Sequence, residues 1–477
     1  MLYIILLLFI AYLGFSFISK NFIGKTHIPG PLAFPIIGNL NLFNSPHLVF
    51  HKLAEKFRTP CIRLWMGDHY VIVVNDFELF KGIYLKNANN FKNRPLSPGF
   101  QMISGNFRNI IHAPTPTWTE NKDLVKNHFT NKNIFNVMPS KFDKHINSFI
   151  DILENLEKTG EKFDVNYYII RIYMNLVMSH FCCAEIAWGD ESKKLVDELC
   201  VAVDKAVEVA SYGSYRESLS ILSPIYKYLL PTEPCPLQPS LDYLKVKLQE
   251  HKDTFDPNNI RDVMDGLIRD LDEKEHDRII YIGTDFFLAG AEGQIASGEW
   301  FFVYLSSRPE IQDRAYQELK SVFGDSKRVD YMKKNQTPYF NAIIKEVLRI
   351  QTPLPLSIPR VAEEDITING TFIPKHSCVI PNLYSIHRQE RYWKDPNEFI
   401  PERFMVENET SLPYIPYGLG ERGCIGLNLA QNCVYTVLGS VLLNFSFTSD
   451  KVFSYETKPN LVIHPNDRDI QLNLKKR

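Results

Sequence analysis

The sequence predicts a mainly α-helical chain with a small β portion, one large domain standing behind a single apolar N-terminal helix. Three observations carry that expectation. Apolar residues recur at helical spacing, with charged residues between them, over most of the stretch from Thr117 to Arg349. Alternating, strand-like segments are few, and no internal repeat or low-complexity tract breaks the pattern. The chain opens on an uncharged run from Leu2 to Ile18, at the short end of what spans a bilayer.

Taken in order, that first run reads as a transmembrane anchor over residues 1–19. No Lys or Arg precedes it and no small-x-small site follows it, which argues against a cleaved signal. A signal peptide or a first core helix are the alternatives. Lys20 and Lys25 come just after the run, and by the positive-inside rule they leave the rest of the chain in the cytosol. Residues 20–39 read as a stiff connector, because Pro29, Pro31 and Pro35 fix φ and forbid helix. A plain turn-rich loop is the alternative there. Residues 40–477 form the body. Within it Ile62 to Val74 reads as a hairpin around Gly67-Asp68, and Ile366 to Phe372 as another turning at Asn369-Gly370. Lys141 to Leu156 and Pro309 to Phe323 read as amphipathic helices, with Pro309 in a first turn where its missing N–H costs nothing.

At 477 residues, with 45% apolar and 23% charged, the chain can bury a large core. A formal net charge of −2 provides no global field toward nucleic acid or an anionic membrane surface. The eight cysteines show no C-x-x-C pair and no regular spacing, so neither a zinc site nor a disulfide framework is indicated. Such a pattern suits a reducing compartment.

The segment richest in chemistry is Tyr417-Gly418-Leu419-Gly420-Glu421-Arg422-Gly423-Cys424-Ile425-Gly426. Its glycines permit tight turns and close approach to a flat ligand, leaving one thiol on a loop. Backbone N–H groups aimed at the sulfur would lower its pKa and tune an attached metal. Arg422 could pair with a carboxylate of the ligand. Taken alone, the segment permits a reactive thiol, a metal thiolate or simply a buried cysteine.

This segment resembles the cysteine loop of the cytochrome P-450 superfamily, F-x-x-G-x-R-x-C-x-G, with Tyr417 in the aromatic position. Other marks follow the family's order. Glu346-Val347-Leu348-Arg349 resembles its E-x-x-R, Phe399 to Phe404 its meander motif, and Trp118 with Lys122 its W-x-x-x-R. The anchor and connector are similar to those of the microsomal branch, so the resemblance spans essentially the whole chain.

The resemblance implies a P-450 fold and a b-type haem with Cys424 as its only protein ligand to iron. It implies that Arg422, Arg360, Trp118 and Lys122 clamp the haem propionates; lysine keeps the charge of the family's arginine but loses the bidentate fork. Glu346, Arg349 and Arg403 would form a buried structural triad. The implied activity is insertion of one atom of O2 into an apolar small molecule. Electrons would come from a separate NADPH-dependent flavoprotein reductase docked near Lys122, Lys126 and Lys132. The implied location is the endoplasmic reticulum membrane, spanned once, with the catalytic domain facing the cytosol. By the same analogy Phe100 to Ile111 and Thr352 to Ile358 line the pocket.

One stretch departs from the family. Ala289-Gly290-Ala291-Glu292-Gly293-Gln294 is similar to A-G-x-D/E-T-T, yet Gly293 and Gln294 replace both threonines. The first of these normally assists proton delivery during oxygen activation. On this reading Glu292 acts with ordered water, Gly293 leaves room for that water, and the Gln294 amide or a hydroxyl on the substrate itself assists. A haem-thiolate isomerase or dehydratase acting on a peroxide, and a non-catalytic haem-binding protein, are the alternative functions.

Overall fold

The turns that the sequence marks are where the chain reverses. In the computed structural model β1 (Cys61–Met66) and β2 (His69–Val74) pair antiparallel from Cys61↔Val74 to Met66↔His69, with Gly67 at a positive φ in the turn. Asn369 and Gly370 both take positive φ, the demand of the tight hairpin that this dipeptide signals. The structure describes residues 2–23, 27–136, 139–210, 234–406, 411–457 and 460–477, with 218, 219, 222 and 225 between them.

The β portion is small, as expected. Strand β2 continues into a four-stranded sheet in the order β1-β2-β7-β4, with β7 (Cys378–Pro381) parallel to β2 and β4 (Arg360–Val361) antiparallel to β7. This pairing sets Arg360 opposite Val379, at the edge nearest the central cavity. A second sheet runs β3-β9-β8 through Phe163–Asp164, Gln471–Lys476 and Phe445–Thr448. Helices supply the rest.

The helix Pro309–Phe323 has the expected bounds, and Lys141 to Leu156 falls inside a longer helix, Pro139–Thr159. The central element is a continuous helical run, α over Asp277–Asp285, π over Phe286–Ala291 and α again over Glu292–Leu305. From Gln294 to Leu305 every residue is buried. A helix covered on all sides keeps no polar stripe, so its sequence shows little amphipathic period. The π turn lies against Val165–Cys182, where a Cβ on Gly290 would come 2.9 Å from a Val177 methyl. π turns of this kind are frequent at functional sites.

The first helix, Leu2–Asn21, is long and apolar enough to cross a membrane and is 11% buried over Tyr3–Asn21. It runs past residue 19, and its end is fastened. Lys20 Nζ donates to the carbonyls of Ile36 and Gly67, both at 2.8 Å, and Asn21 exchanges side-chain hydrogen bonds with the Ala33 backbone. Trp65 Nε1 donates to the Lys20 carbonyl at 3.0 Å. Lys20 is therefore buried. The proline connector lies along β1, with Arg63 N donating to Pro29 O and Asn39 N to Trp65 O.

Candidate functional site

One cavity of about 300 Å³ reaches from the cysteine loop to the central helix. The loop that presents Cys424 is closed by its own backbone: Gly418 N donates to Ile415 O, Gly423 N to Gly420 O, and Cys424 N to Tyr417 O. Gly420 has a φ of +75°, and a Cβ there would lie 2.3 Å from the Tyr84 carbonyl, so only glycine fits. Three residues beyond Cys424 the chain enters the helix Leu427–Asn444, with Gly426 as its N-cap. Gly426 lies beside the sulfur, which stands 3.9 Å from where a Cβ on that glycine would sit.

The Cys424 side chain is accessible through the cavity while protein surrounds it on the larger scale. That burial pushes the thiol pKa up, and the Gly426 N–H opposes it only in part. The sequence reading expected backbone donors to prevail; desolvation is the larger effect. A bound metal ion reverses this balance, because a coordinating thiol is deprotonated outright.

Cations gather around the same cavity. Arg422 lies 4.0 Å from the Trp118 ring centroid and donates to the carbonyls of Lys92 (3.0 Å) and Ala113 (2.6 Å). Burial, and then the charge of Arg360, bring its pKa down to about 9. Arg360 is buried, its pKa held near 10 by desolvation, and its Nε has no partner. Among the described residues no carboxylate faces either guanidinium. Lys122 donates to the Glu421 carbonyl at 2.7 Å and lies 5.0 Å from the Trp118 ring. Arg94, which the sequence reading did not single out, is buried on the same wall and donates to the carbonyls of Ile358 and Pro359. A thiol facing a cavity and buried cations whose own partners are carbonyls fit a flat metal macrocycle carrying carboxylates.

The rest of the lining is mostly apolar. Phe100, Ile103, Ile110 and Ile111, and Pro353, Leu354, Ser357 and Ile358, line it from the two expected segments. Ala206, Val207, Leu461 and Val462 join them without having been expected.

The central helix contributes Gly293, Gln294 and Ser297 to the lining. Gln294 Nε2 donates to the Gly290 carbonyl and Ser297 Oγ to the Gly293 carbonyl. Glu292 is placed differently from the sequence expectation, which set it beside water in the cavity. It is not among the lining residues: its Oε1 accepts from His464 Nε2 at 2.7 Å, and His464 Nδ1 donates to Glu299 at 2.6 Å. Arg468 completes this buried group on Glu299 at 2.7 Å. Ser297 and His464 carried no local signal, since each acquires its role only through the fold.

Behind the cavity, Glu346 accepts from Arg349 at 2.7 and 2.8 Å and from Arg403 at 3.0 Å. The Ile400 N–H adds a fourth bond to the same carboxylate. Glu346 and Arg349 are fully buried.

Comparison with known proteins agrees with this geometry. The cytochrome P-450 family model matches residues 28–472. Probable cytochrome P-450 518A1 of Dictyostelium discoideum is 31% identical, over 100% of this chain and 99% of the relative. Probable cytochrome P-450 519E1 of the same organism is 32% identical, over 98% of each. A zebrafish cytochrome P-450 solved with progesterone superposes with a TM-score of 0.77 at 22% identity, over 91% of this chain and 99% of its own, a likeness of fold. The chain belongs to the cytochrome P-450 family, the haem-thiolate monooxygenases.

Proposed function

We propose that Cys424 would ligate the iron of a b-type haem and that Arg360, Arg422, Lys122 and Trp118, with Arg94 as a further cation, would hold its propionates. The observation that carries this is the Cys424 thiol and the partnerless Arg360 Nε on one cavity whose remaining lining is mostly apolar. When bound, the haem supplies activation of O2, favoured by electron density from the thiolate. The chain supplies the rest. Gly426 N–H steadies the sulfur, the cations neutralise the carboxylates, and the apolar wall selects and dries the substrate.

On the central helix, Gly293 leaves open space: a Cβ there would meet nothing within 4 Å. Gln294 closes the Gly290 carbonyl, and Ser297 places a hydroxyl on the wall. Glu292 stands behind this lining, where its carboxylate is paired with His464. The substrate is an apolar small molecule, and electrons come from a separate NADPH-dependent flavoprotein reductase. The N-terminal helix anchors the protein in the endoplasmic reticulum with its body in the cytosol. Gly293 also favours a second reading, rearrangement of a hydroperoxide without O2 or reductase, because it presents no hydroxyl where the family has one.

The test is consumption of NADPH by the full chain with a microsomal reductase. Stimulation by an apolar compound that also shifts the haem spin state is expected. Turnover of an organic hydroperoxide with neither O2 nor reductase would put the second reading first.

A further inference from the structure

Within the apolar wall stands one ring whose protonation is fixed by its neighbours. His112 lines the cavity, is 4% exposed, and packs on Phe100 with ring centroids 4.4 Å apart. The Asn109 side chain lies between it and Asp285. The oxygen of that amide accepts from the His112 backbone N–H at 3.1 Å, while its nitrogen meets Asp285 Oδ1 at 2.8 Å. A backbone N–H can only donate and a carboxylate calls for a donor, so the orientation of the amide is determined by chemistry. The same nitrogen lies 3.1 Å from His112 Nδ1. Nδ1 is therefore the acceptor, and the neutral ring carries its proton on Nε2.

Asp285 is itself locked by the N–H groups of Ile110 and Ile111, at 2.6 and 3.0 Å. The loop, the amide and the ring thus form one unit built on the central helix. Burial, and then the charges of Arg94 and Arg422, keep the imidazole neutral, with a pKa brought down to about 3. Nε2–H has no protein partner among the described residues. It is not occluded by protein, so an apolar ligand that covers it would strand a donor, a cost that an acceptor on the ligand removes.

We propose that His112 Nε2–H is a substrate-recognition donor, and that the substrates are apolar molecules bearing a hydrogen-bond acceptor, a carbonyl, ether or hydroxyl oxygen, set against it. This rests on the reading of the cavity as the substrate site. It divides the apolar compounds that the cavity can hold into those that satisfy the donor and those that strand it.

The test uses the full-length haem-loaded protein and matched ligand pairs: adamantane with 2-adamantanone, and dodecane with 2-dodecanone. Binding is read from the haem spectrum. Each ketone should bind the wild type more tightly than its hydrocarbon partner once water–octanol partition is allowed for. His112→Phe should weaken the ketones about three- to tenfold and leave the hydrocarbons within about twofold. His112→Gln, which keeps an N–H donor, should recover part of the difference. Equal changes for ketone and hydrocarbon in both variants would overturn the donor role while the cavity reading stands. Loss of haem retention in both variants, with no discrimination between ligands, would assign His112 to the cofactor instead and also overturn it. If no pair perturbs the wild-type spectrum, the cavity reading fails and takes the proposal with it.

Discussion

His464 and Glu292 form a buried ion pair across the fold, Nε2 to Oε1 at 2.7 Å, joining the C-terminal loop to the central helix. Burial opposes charge on the imidazole, yet the attraction of Glu299 and Glu292 outweighs it and raises the pKa to about 9. Folding therefore takes up a proton on His464, and the stability so gained is present below its ordinary value of 6.5 and lost as pH rises through about 9. Thermal unfolding of wild type and His464→Gln should be compared across that window. The wild-type advantage is expected to be on the order of a few kcal/mol at pH 6 and to shrink toward pH 9.5. A difference that does not vary with pH would mean that the ring is neutral in the folded protein.

Cys424→Ala should abolish the red-shifted Soret band of the reduced, carbon-monoxide-bound protein, because no other sulfur replaces it as ligand. Cys433→Ala should retain the band, since Cys433 is buried in the helix Leu427–Asn444. Thiolate spectra surviving the loss of Cys424 would refute the assignment.

Glu346→Ala strands Arg349 and Arg403 in the interior. Removing one member of a buried, hydrogen-bonded charge group costs roughly 3–5 kcal/mol. The expected outcome is a lower unfolding midpoint in urea and poor haem recovery. Glu402→Ala, on an exposed pair with Arg314, should change stability by about 0–1 kcal/mol.

Gly293→Thr should be accommodated, given the open space around that position. With substrate and reductase in hand, the expected result is a changed ratio of product to NADPH consumed. Glu292→Gln breaks an ion pair with His464 rather than a contact in the cavity, so rate and coupling should stay within about twofold of wild type; a loss on the 10²–10⁴-fold scale of general acid assistance would return Glu292 to the proton supply.

Membranes bearing the full chain should retain it through carbonate extraction, and deletion of the residues before Pro29 should weaken retention while leaving haem in place. Release of the full chain by carbonate would count against a spanning anchor.

Much of the architecture was legible because the local signals and the fold agree. Gly67 and Asn369-Gly370 mark turns by backbone freedom, and Pro309–Phe323 has one apolar face because it has one buried face. The cysteine loop was legible for a similar reason, since its glycines, arginine and thiol act within one short segment. The groups that escaped attention act at a distance. His464 stands 172 residues from Glu292, and Arg94 meets Ile358 across 264. Neither spacing has a period or a local pattern. Glu292 was recognised as acidic and near the site, but the direction of its carboxylate depends on a loop that no helix-local argument includes.

Lys20 has one further consequence. A chain tethered by a loose linker would tumble beneath its anchor and sample every approach to the lipid. Here the last turn of the helix is riveted to the Gly67 turn and the Ile36 backbone, so anchor and body turn as one piece. If the helix spans a bilayer as proposed, its tilt dictates which face of the body meets the headgroups. Lys20→Ala would turn a bracket into a leash, altering the geometry of substrate entry without touching the cavity.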